Sequence, residues 1–69
     1  MQSWSLEKFK KEFGVYETMR VMGYTSRQAV YAAIGVRNIR VVLTDDNKLE
    51  AWETRLVGSV EVLGEEDKV

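Results

Sequence analysis

Cysteine and histidine are both absent from the 69 residues. Without cysteine no disulfide can staple so short a chain. Without histidine or thiolate a zinc site would have to be built from carboxylates alone, which is unusual, so no structural metal is expected. The same absences remove the commonest general acid–base group and the thiol nucleophile. Serine, lysine or carboxylate chemistry would need a pocket that a core of this size can hardly enclose, so no enzymatic activity, cofactor or small-molecule substrate is expected. No stretch approaches the roughly 18 apolar residues that span a bilayer, and the N-terminal residues lack the basic and apolar segments of a signal peptide. The expectation is therefore a cytoplasmic protein with no membrane partner. A single domain near the lower size limit, with neither disulfide nor metal, is expected to gain stability by association, and a homodimer is the simplest form.

Acid is missing from one long window. From Thr18 to Arg40 the chain carries Arg20, Arg27, Arg37 and Arg40 and no aspartate or glutamate. Residues 1–17 balance Lys8, Lys10 and Lys11 against Glu7, Glu12 and Glu17. Residues 41–69 set eight acids against Lys48, Arg55 and Lys68, so the blocks carry 0, +4 and −5 and the whole chain −1. A solvated surface ordinarily mixes its charges, so a segregated positive block points to an anionic partner. Four ordinary surface arginines are the alternative.

The first residues, Gln2–Ser5, read as a lead-in or brief edge strand anchored by Trp4. Ser5 can cap a helix over Leu6–Phe13, with Leu6, Phe9 and Phe13 on one face and Gly14 as its left-handed stop. Val15–Met22 repeats the pattern with Val15, Met19 and Met22 inward, and Gly23 ends it. Thr25 and Gln28 form a capping-box signature opening a third helix through Ile34, closed by Gly35. Its inward set is Ala29, Val30, Ala33 and Ile34, leaving Ser26, Arg27, Gln28, Tyr31 and Ala32 outward. Two short helices around Gly23-Tyr24-Thr25 read as a helix-turn-helix.

From Asn38 the period changes from 3.6 to 2. Ile39–Leu43, the turn residues Thr44–Lys48 and Leu49–Leu56 predict an antiparallel hairpin. Ile39, Val41, Leu43, Leu49 and Ala51 face the helices; Val42 and Trp52 lie on the other side, which calls for a second cover from Ser59–Leu63 or from another subunit. Gly64–Val69, with Glu65, Glu66 and Asp67, reads as a disordered, solvated tail. The expected fold class is α+β, with a helix-turn-helix and hairpin domain over residues 1–58 and a C-terminal arm and acidic tail over 59–69.

This order resembles the Cro repressors of lambdoid bacteriophages, from about Ser5 to Val57. Leu6, Lys8, Phe13 and Gly14 match the anchors and stop of that family's first helix. Gly23 has the spacing of the helix-turn-helix glycine, and Ala29, Val30, Ala33 and Ile34 match the buried side of the recognition helix. Arg37-Asn38-Ile39 then leads into a gap-free match through Asp46, Ala51 and Glu53. Three features depart from the family: Met19 stands where a small residue is usual, the turn Tyr24-Thr25-Ser26 is one residue longer, and the tail is acidic instead of basic. The resemblance implies a Cro-like, sequence-specific DNA-binding repressor of phage or prophage origin, acting as a dimer on a pseudo-palindromic double-stranded operator.

Arg27 and Gln28 are the first candidates for reading bases, since arginine matches guanine O6 and N7 and glutamine matches adenine N6 and N7. Ser26 and Tyr31 are secondary. For Gln28 the alternative is completion of the cap to Thr25, and for Tyr31 it is surface packing. The resemblance places Tyr16, Arg20, Arg37 and Asn38 against phosphates; Arg40 is added on charge, with an ordinary strand arginine as its alternative. It also implies a subunit contact through Trp52, Thr54, Arg55, Leu56 and Val57. For Trp52 the alternative is a core residue covered by the chain's own arm. The rival function is a protein-interaction module with the same fold, binding another regulator through Trp52 and the acidic C-terminal segment.

Overall fold

The computed structural model describes residues 2–62; the tail Gly64–Val69 and Leu63 lie outside the described residues. The chain order is β1 (Gln2–Ser5), α1 (Leu6–Phe13), α2 (Val15–Met22), α3 (Arg27–Val36), β2 (Arg40–Leu43), β3 (Lys48–Trp52) and β4 (Leu56–Glu61). The class is α+β: among the described residues, three helices pack on a four-stranded antiparallel sheet of order β1-β2-β3-β4.

The helix ends follow from local chemistry. Ser5 accepts the Lys8 N–H at 3.2 Å and starts α1. Gly14 stops it with a positive φ of 94°, but ψ of 162° lies outside the left-handed helical region expected for it, in backbone space open essentially to glycine. Its N–H bonds the Lys10 carbonyl, and its own carbonyl takes the Thr18 N–H at 3.2 Å and hydroxyl at 2.8 Å. One residue thus closes α1 and opens α2. At the other end of α2, Gly23 donates to the Arg20 carbonyl and Tyr24 to the Met19 carbonyl, the paired bonds of a Schellman stop.

Four expectations need correction here. The cap of α3 is Ser26, accepting the Ala29 N–H at 3.2 Å, and not Thr25. The helix runs through Gly35 to Val36, with the Arg37 N–H bonded to the Ala33 carbonyl. In α2 the fully buried positions are Thr18, Val21 and Met22, while Val15 and Met19 are only half-buried; Thr18 tolerates burial because its hydroxyl is bonded within the helix. In α1 Leu6 and Phe9 are buried but Phe13 is half-exposed, its ring 4.7 Å from Phe9 and 5.2 Å from Trp4.

The hairpin is likewise part of something larger. Val41 pairs with Ala51 and Leu43 with Leu49, which puts the expected apolar face on the helices. The strand expected over Leu49–Leu56 instead ends at Trp52, turns at residues 53–55, and returns as β4. Ser59 and Val60 therefore extend the sheet beside β3, where Glu50 pairs with Ser59 and Leu49 with Val60, rather than folding over its outer face. β4 also lies against α2 so closely that a Cβ on Gly58 would come 2.3 Å from the Val21 carbonyl oxygen. The core joins Leu6, Phe9, Val21, Met22, Ala33, Ile39, Val41, Leu49 and Ala51.

Candidate nucleic-acid interface

The N-terminal turns of α2 and α3 meet in an open groove lined by Tyr16, Met19, Thr25, Ser26, Arg27 and Gln28. The Schellman stop at Gly23 sets the reversal between the helices, and Ser26 fixes where α3 begins. Val30 and Ala33 bury the inner side of α3, which turns Arg27, Gln28 and Tyr31 outward. Met19 is half-buried and lines this groove, and it is not among the buried core residues.

Arg27 and Gln28 are exposed, and their side chains make no hydrogen bond or ion pair among the described residues. Gln28 does not complete a cap to Thr25, because Ser26 already caps the helix. Tyr16 is 70% exposed at the start of α2 and belongs to the same groove. Tyr31 lies one turn beyond Arg27, and the Lys10 ammonium sits 5.1 Å from the centre of its ring, so a cation of α1 reaches the exposed side of α3. Lys10 was legible as a cation of α1, but nothing in its spacing linked it to Tyr31.

The other arginines are placed differently. Arg20 donates twice to Glu17, at 3.0 and 2.7 Å, and once to the Glu61 carbonyl at 3.0 Å, tying α2 to the end of β4. Arg37 donates to the Tyr24 hydroxyl at 2.9 Å and to Glu53 at 2.8 Å, joining the end of α3 to the turn after β3. These bonds raise the pKa of Arg37, the Glu53 contact most, and the Arg37 guanidinium holds the Glu53 carboxyl below the usual glutamate range. Asn38 is exposed beside this pair. Arg40 stands on the outer face of the sheet, opposite the helices, with its Nε 3.2 Å from the Ser3 hydroxyl, and is not brought to the groove. The positive block of the sequence is thus dispersed by folding.

Trp52, Thr54, Arg55 and Leu56 are exposed and Val57 is half-buried against the core. The described part of the arm, residues 59–62, runs beside β3, and Trp52 is 40% exposed and donates its indole N–H to Glu50 at 3.0 Å. A second hollow, lined by Trp4, Phe9, Phe13, Leu43, Leu49 and Val62 with Gln2 and Glu17 at its rim, is apolar and brings no set of convergent polar groups together. No helix among the described residues is long and apolar enough to cross a membrane.

No family model, curated protein or solved structure gives a significant match to the chain.

Proposed function

We propose that this protein is a Cro-like, sequence-specific DNA-binding repressor of phage or prophage origin, acting as a homodimer on a pseudo-palindromic operator. The observation that carries the reading is the pair Arg27 and Gln28 on the first turn of α3, their side chains without a partner among the described residues and exposed beside Tyr16 in the groove between two short helices. In the docking of a helix-turn-helix, the start of the second helix enters the major groove, where these side chains match guanine and adenine edges. Two such helices about 34 Å apart reach successive major grooves, and occupation of a promoter represses it. The sequence resemblance to Cro supports the same reading.

A protein-interaction module is the second reading, favoured by the engagement of Arg20 and Arg37 with Glu17 and Glu53 and by the exposure of Trp52. Binding to random duplex DNA at two salt concentrations separates the two. Each phosphate neutralised contributes about 0.9 to the slope of log affinity against log salt, so a repressor binds with a steep dependence. Selection of bound sites from a random pool then yields a palindromic consensus. Absence of binding at low salt overturns the repressor and supports the module.

A further inference from the structure

On the outer face of β2 and β3, four side chains form a square. Arg40 is the register partner of Trp52, and Val42 that of Glu50, so the two apolar residues occupy one diagonal and the two opposite charges the other. Arg40 and Glu50 have no ion-pair partner among the described residues; their polar contacts are Ser3 and the Trp52 indole. Leu56 extends the apolar surface beyond Trp52, its register partner, and is 41% exposed. The edge of β3 is already paired by β4, so this face, and not that edge, is open to a partner.

We propose that this face docks a second copy of the chain, with the two-fold axis along the Val42–Trp52 diagonal. A rotation about that diagonal leaves the apolar corners facing their own copies and exchanges the charged ones. Arg40 of each copy then lies against Glu50 of the other, so one patch supplies both signs of its own complement. The row neighbours Ser3, Ser5 and Ser59 introduce no like charge into the contact. Four strands about 4.8 Å apart make a small face, well under a standard interface, so the dimer is weak. The proposal deepens the homodimer reading and rests on it, while being independent of DNA binding.

The test is sedimentation across a concentration series for wild type, Arg40→Glu and Glu50→Arg, each alone and then the two variants mixed, with circular dichroism of every sample. Arg40→Glu makes the charged diagonal wholly acidic and Glu50→Arg makes it wholly basic. Each variant alone is expected to self-associate about tenfold more weakly or worse, because like charges meet. The equimolar mixture is expected to restore the dimer. Should a charge reversal unfold the sheet, Arg40→Gln and Glu50→Gln are the second pair: both weaken the dimer, and mixing them gives a partial rescue, because the mixed dimer keeps one of the two Arg40–Glu50 pairs. A wild type that remains monomeric overturns the contact and the homodimer reading together. A wild-type dimer insensitive to these substitutions, or a mixture that stays monomeric, overturns the contact alone.

Discussion

Arg27 and Arg37 carry the same charge in opposite circumstances. Arg27 projects from the first turn of α3 without a partner among the described residues, whereas Arg37 is held by Tyr24 and Glu53. On the repressor reading, Arg27→Ala is expected to cost about 1 to 3 kcal/mol on the preferred operator and to relax preference at one base pair. Arg37→Ala is expected to weaken all sequences nearly equally. Competition assays on a panel of single-substituted operators separate the two, and a uniform loss for both ends the base-reading assignment of Arg27. The Glu53 partner also gives a pH dependence. Its carboxyl has a lower pKa when folded, first because of the hydrogen bond from Arg37. The stabilisation is therefore present above the ordinary glutamate value of about 4.3 and is lost as pH falls through the lower folded value. Urea midpoints for Glu53→Gln are expected to fall less steeply than those of wild type as pH drops from about 4.3 through the lower folded value. An unchanged profile would show that the ion pair is too solvated to matter.

At the scale of elements, β4 lies close against α2 at Gly58. A methyl there meets a backbone carbonyl oxygen, which cannot move aside as a flexible side chain could. Gly58→Ala is therefore expected to displace β4 or destabilise the protein by about 1 to 3 kcal/mol, the usual range for overpacking. Thermal unfolding checks this, and a neutral substitution would mean that α2 and β4 separate easily. This contact also marks where legibility in the sequence ended. The bounds of α1 and α2 follow from Ser5, Gly14 and Gly23, whose chemistry is local. Thr25 and Ser26 are adjacent cap formers, and only the extended backbone at Ser26 selects between them. The break between β3 and β4 falls at Glu53-Thr54-Arg55, which has none of the glycine, proline or asparagine that announces a turn. The outward face of α3 was readable from its period. The Glu61 carbonyl reached by Arg20 and the Glu53 that holds Arg37 were not, because they lie 41 and 16 residues away in the chain.

For the whole molecule, net charge opposes the proposed partner. The chain carries −1, and residues 64–69 contribute Glu65, Glu66 and Asp67 against Lys68, or −2, so their removal leaves +1. Carboxylates neutralise Arg20 and Arg37 locally, and the sign of the net charge governs non-specific attraction to duplex DNA. A chain ending at Leu63 keeps the whole core of described residues from Leu6 to Ala51 and is expected to fold as the full chain does. It is expected to bind random duplex DNA more tightly at low salt. The difference should shrink as salt rises past about 0.1 M, where the screening length is about 10 Å. Fluorescence anisotropy titrations of both chains at several salt concentrations measure the effect, alongside circular dichroism. Equal or weaker binding by the shortened chain at low salt would show that the tail's charge lies too far from the DNA to act on it, and that the local field of Arg27, Lys10 and the start of α3 sets the encounter instead.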